Sequence, residues 1–180
     1  MRQLIPVIAV LALTACAGEP TTPVSLPAGS QPGLAVADEF VTAGQDIAAF
    51  YRRPQPGQPA AAARAIAEIE WLAAALPMSP RWSNIGGTGM TQLQLARNEA
   101  RASLGIPQRA PAQPIINGLT AAATALTAND TAGAARALPR STFPLGPEET
   151  VRRLSAPPQN RNIMAALAAL SAARRGSGGR

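Results

Sequence analysis

This sequence predicts an all-α domain, a small irregular bundle of about five to seven short helices. Three observations lead there. Apolar residues recur at intervals of three and four in one stretch after another. Residues that favour strands are sparse and never alternate over a useful length. The 18 prolines fall largely between the periodic stretches, so nearly every connection carries one. Alanine dominates an apolar content of 47%, while aromatics reach only 3%. Because alanine forms helix well but buries little area, a thin, helix-dominated core of modest stability follows.

The chain opens with Met1-Arg2-Gln3, a minimal positive start, and continues as an apolar run from Leu4 to Ala15 broken only by Pro6 and Thr14. That is the pattern of a secretory signal peptide. About 20 apolar residues are needed to cross a bilayer as a helix, and this run is well short of that. The run ends in Leu13-Thr14-Ala15-Cys16, which resembles the lipobox of bacterial lipoprotein precursors. The resemblance covers residues 1–16 only. It implies cleavage between Ala15 and Cys16, a diacylglyceryl group on the Cys16 thiol, and acylation of the freed amine. Two or three acyl chains anchor stably where one gives only marginal binding. Ala17 stands where an aspartate commonly retains such proteins in the inner membrane, so the resemblance implies the outer membrane, facing the periplasm. The alternative reading of Ala15-Cys16-Ala17 is a small-x-small site for general signal peptidase, which leaves a soluble periplasmic protein.

Past the signal, the mature chain of about 165 residues suits one domain. Residues 16–33 turn to Pro, Gly, Thr and Ser with Glu19 the one charge, a flexible tether reaching on the order of 55 Å when extended. The folded domain is expected over 34–175, with 176–180 a disordered tail.

A first helix is expected from Leu34 to Arg53, with Phe40, Ile47 and Tyr51 on one stripe beside Gly44, and Pro54 as its stop. The second, Ala60 to Leu76, sets Ala62, Ile66, Ile69, Ala73 and Leu76 on one face. Trp71 lies opposite, beside Arg64 and Glu68. It either packs on a neighbouring helix or anchors a partner, with Arg64 and Glu68 as a polar rim and Trp82 nearby. Ile85-Gly86-Gly87-Thr88-Gly89 reads as an irregular turn, since no strand precedes it and no lysine follows it for phosphate binding.

The third helix, Thr91 to Leu104, carries Leu93, Ala96, Ala100 and Leu104 on one side and Arg97, Glu99 and Arg101 on a charged face, with Gly105 as its cap. Pro107, Pro111 and Pro114 bound a loop. A fourth helix from Ile115 to Leu126 is broken at Asn129-Asp130. Asn129 suits a left-handed position, and Asp130 caps a short fifth helix ending at Leu138. Pro147-Glu148-Glu149 opens a sixth, and Asn160 caps a last one carrying Ile163, Leu167 and Leu170.

Missing residue types restrict the chemistry. The formal charge is +6 from 16 basic residues, all arginine, against 10 acidic ones, and there is no histidine. No histidine base, lysine nucleophile or imidazole metal site is therefore available, and one cysteine makes no internal disulfide. We expect no catalytic residues, no metal and no cofactor. Partners are expected to be the membrane, through the lipid on Cys16, and an envelope protein. Nucleic acid is not expected, because the arginines are scattered rather than gathered on one helix. A non-catalytic interaction module is the leading expectation. The alternative is binding of an anionic envelope ligand, a lipid head group or cell-wall fragment, by the pairs Arg52-Arg53, Arg152-Arg153 and Arg174-Arg175. A carboxylate-dependent hydrolase ranks third, because Glu68 and Glu70, two apart on a helix, diverge.

Overall fold

In the computed structural model, residues 23–27, 39–54, 56–82, 86–156 and 160–177 are described, and among them every regular element is helical. Seven α-helices follow one another: α1 (Glu39–Arg52), α2 (Pro59–Ala75), α3 (Gly87–Ser103), α4 (Ala112–Thr127), α5 (Thr131–Ala137), α6 (Pro147–Leu154) and α7 (Arg161–Ser177), with two 3-10 turns, Leu76–Met78 and Pro80–Trp82, between α2 and α3. The all-α expectation holds, at seven helices. The signal and lipobox, the residues before Glu39 in the first expected helix, and Pro157-Pro158 lie outside the described residues.

Helix α2 is the spine of the bundle, buried on nearly every side. Its N-terminal half, Ala62, Ala63, Ile66 and Ala67, packs into one core with Leu119 and Ala122 of α4, Phe143 and Leu154. Its C-terminal half, Ile69, Trp71, Leu72 and Leu76, packs into another with Ile47 of α1, Leu93 of α3, and Ile163 and Leu167 of α7. Alanine at 62, 63, 65, 67 and 73 lets neighbours approach from several directions at once. An apolar face with Trp71 opposite was the expectation, and a small-residue helix surrounded by partners is the outcome.

Sequence signals locate most helix ends. Gly105 (φ 67°) and Asn129 (φ 57°) take the left-handed conformation after α3 and α4. At each site two N–H groups turn back onto the helix: Gly105 and Ile106 to the carbonyls of Ala102 and Arg101, and Asn129 and Asp130 to those of Leu126 and Ala125. Both are Schellman motifs, which satisfy carbonyls the helix end leaves open. Asp130 caps α5 by accepting from Gly133 N at 2.7 Å. Asn160 accepts from Ile163 N at 3.0 Å and donates from its amide to the Ala96 carbonyl at 2.8 Å, tying the start of α7 to α3.

Four boundaries differ from expectation. Gly87, Thr88 and Gly89 are the first turn of α3 rather than an irregular turn: tertiary packing outweighs the roughly 1 kcal/mol that each helical glycine costs. Pro114 lies inside the first turn of α4, where a missing N–H removes no intrahelical bond. Helix α7 runs to Ser177, past the expected end at Arg175. Residues 23–27 are not free tether. Ser25 and Gln113 exchange two hydrogen bonds, Ser25 N to Gln113 Oε1 and Gln113 Nε2 to Ser25 O, both 2.8 Å, and Val24 and Leu26 pack against the core.

Gly118 marks a close approach of α4 to the segment after α5. A Cβ there would lie 2.6 Å from Phe143 Cε2 and 2.8 Å from the Ala137 carbonyl oxygen. Gly118→Ala is therefore expected to destabilise by about 1–3 kcal/mol despite the better helix propensity of alanine. Thermal melts of the two proteins check this.

Candidate functional site

The expected partner-contact residues separate into inside and outside. Trp71 is 3% exposed and stacks on Phe40 with ring centroids 4.8 Å apart and planes 12° apart, so it packs within the domain and cannot anchor a partner. Phe40 also meets Trp82 edge-on at 6.2 Å, placing it between two indoles. Glu68 is buried too, and its Oε2 has no hydrogen-bond partner among the described residues. The expected polar rim thus reduces to Arg64, which is exposed. Burial first, and then Asp46 on α1, push the Glu68 carboxyl up to about 8 against a weaker pull downward from Arg64. The proton stays on this acid at neutral pH. Burial also raises the Tyr51 phenol, with Glu99 adding to the effect.

Glu70, two residues along α2, has the opposite environment. Its carboxylate accepts from Arg101 at 2.6 and 2.8 Å and from Arg97 at 3.0 Å. Arg101 was expected on a charged outer face of α3 but is 1% exposed. Its remaining nitrogen donates to the carbonyls of Pro107, Gln108 and Ala110, so one guanidinium fastens the α3–α4 loop to α2. An interleaved Arg97 and Arg101 spacing on α3 was visible in the sequence, but the facing Glu70 required the tertiary arrangement. Glu68 and Glu70 do diverge, one unpaired and one saturated.

The arginine pairs divide in the same way. Arg152 and Arg153 both donate to Glu149, at 2.6 and 2.7 Å, and Arg153 also reaches the Ser103 carbonyl. Hydrogen bonds from Arg152 and then Arg153 draw the Glu149 carboxyl down to about 2. Stability from this cluster is expected in full above about pH 4.5 and to fade as pH falls toward 2, which acid titration of Glu149→Gln against the parent would register. The guanidinium groups of Arg52 and Arg53 are exposed and pair with no described residue. Arg175 is exposed, and the Arg174 side chain lies outside the description.

One concave surface joins two of the expected residues. Between α1 and α7 runs a groove of about 310 Å³ with Phe40, Val41, Gly44 and Ala48 on one wall and Met164, Leu167 and Leu170 on the other. Trp82 and Arg52 both line it. Gly44 lets α1 and α7 approach closely, since a Cβ there would stand 3.3 Å from Leu167 Cδ2. Trp82 is 8% exposed, and its indole N–H is buried without a partner among the described residues. Sequence periodicity placed Phe40 and Gly44 on one stripe of α1, but nothing in it indicated that α7 would form the second wall. No helix among the described residues is long and apolar enough to cross a membrane. No protein-family model matches the chain, and comparison with curated proteins and with solved structures returns no similar one.

Proposed function

We propose that the protein is a lipid-anchored, non-catalytic binding module on the periplasmic face of the outer membrane, with the α1–α7 groove as its working surface. The observation that carries the reading is the groove itself. It is a largely apolar trough whose lining holds Gln45, one cation with no acidic partner among the described residues, and Trp82, whose buried indole N–H is likewise unpartnered among them. Buried donors without partners are uncommon in folded proteins, and a bound group removes the cost. The carboxylates support binding over hydrolysis, because Glu70 and Glu149 are each paired with two arginines and Glu68 is buried.

The anchor is supported by the Leu13-Thr14-Ala15-Cys16 box after its apolar run. Cys16→Ser is expected to block lipidation and release the protein from the membrane fraction. Unchanged retention of that variant in fractionated cells would favour the soluble periplasmic form. For the groove, a photo-crosslinking residue at Ala168, exposed on the α7 rim, is expected to capture an envelope component in intact cells. Capture no stronger than from a crosslinker at Ala132, exposed on α5, would remove the groove as the working surface.

A second reading, anion binding through arginine pairs, is favoured by one specific observation. Of the three pairs, Arg52-Arg53 is the one fully described that has no acidic partner among the described residues, and Arg52 lines the groove. Co-sedimentation with anionic vesicles that is unaffected by replacing both arginines would eliminate it.

A further inference from the structure

We infer that the α1–α7 groove binds a single-chain anionic amphiphile, an alkyl chain carrying a carboxylate or phosphate head, with the head at Arg52. The inference rests on the reading of the groove as a binding surface and goes further by naming its occupant.

Shape selects a chain. Phe40 and Arg52 both line the groove and are twelve residues apart on one helix, so it extends about 18 Å along α1. Its volume over that length is about 310 Å³. An α-helix with its side chains is about 10 Å across and would ride above such a trough rather than fill it. One extended chain fits.

Wall chemistry then separates an alkyl chain from a peptide. An extended peptide carries an N–H and a C=O at every residue, and each needs a partner when buried. Val41, Gly44, Ala48, Met164 and Leu167 offer no side-chain partner, the Ser171 hydroxyl already donates to the Leu167 carbonyl at 2.8 Å, and the one amide in the walls, Gln45, could serve only a single residue of a peptide. A hydrocarbon requires none of these bonds and gains by leaving water.

Charge sets the head. Among the described lining residues there is one cation, Arg52, and no acid. A planar guanidinium matches carboxylate and phosphate oxygens alike. At the other end, Trp82 meets Phe40 edge-on, so the chain runs from the guanidinium to an aromatic pair.

The test uses the full chain in zwitterionic nanodiscs with a twelve-carbon fatty acid bearing a diazirine, and the labelled peptides are mapped by mass spectrometry. Labelling is expected on α1 and α7, competed by dodecanoate and dodecyl phosphate but poorly by dodecanol or dodecyltrimethylammonium. Comparing the two anionic competitors tells a carboxylate ligand from a phosphate one. Arg52→Gln, a surface change, is expected to weaken labelling about tenfold, the loss of one charge-assisted hydrogen bond. Ala168→Phe at the groove rim is expected to block labelling, with melting curves showing that both variants remain folded. Labelling spread over other faces, unchanged by Arg52→Gln, or competed as well by the cationic amphiphile would overturn the inference. If Ala168 still captured a protein in cells, the wider reading would stand and only the occupant would be wrong.

Discussion

Replacing Arg101 with alanine is expected to lower stability by about 3–5 kcal/mol, the largest single-residue effect in the chain. Truncation would leave Glu70 as a fully buried carboxylate with only the Arg97 contact, and three loop carbonyls without their donor. Domains of this size are stable by only about 5–15 kcal/mol, so the variant is expected to lie near its folding threshold. Urea denaturation would measure the loss, and faster hydrogen exchange across residues 106–111 would locate it. A double replacement, Glu70→Leu with Arg101→Met, is expected to cost less than the sum of the two single changes. Removing both charges avoids stranding either one. Strict additivity would show that the pair is not coupled.

The second large effect concerns pH. Glu68 holds its proton up to about pH 8 when folded and releases it near 4.5 when unfolded. Between those values the unfolded chain binds fewer protons than the folded one, so stability falls as pH rises. The slope reaches at most about 1.4 kcal/mol per pH unit, and the decline levels off above about 8. The groups that set this behaviour are Asp46 on α1, which opposes ionisation, and Arg64 one turn back on α2, which favours it. Glu68→Gln mimics the protonated acid and is expected to flatten the profile between 4.5 and 8, while leaving stability at pH 4 nearly unchanged. An Asp46→Asn variant is expected to end the decline at a somewhat lower pH, because relieving the repulsion makes Glu68 easier to ionise while burial keeps most of the elevation. Denaturation midpoints across the range would register both changes.

Helix ends were the most legible part of the fold. Gly105, Asn129, Asp130, Pro147 and Asn160 are local devices, and each acts where local reasoning places it. Helix interiors were legible as periodicity, but alanine blurred their faces. On α2 an alanine-rich surface marks no preferred side, so the division into two cores was not readable. Charges were the least legible. Arg101 and Arg97 looked like a solvated face until Glu70 came opposite, and Glu68, two residues from Glu70, met no such partner. Half of the groove was readable: α1 announces its apolar stripe, but the choice of α7 as the second wall depends on chain path and not on any residue of α1.

The exchange of hydrogen bonds between Ser25 and Gln113 sets a working radius. A tether free to residue 33 would let the domain roam on the order of 55 Å from the bilayer. Docked at Pro23, the chain has only seven peptide steps back to Cys16, about 25 Å at full stretch. A protein anchored at Cys16 would therefore be confined to the membrane's immediate neighbourhood, with the start of α4 turned toward the lipid. What it meets would have to lie in that layer or come down to it.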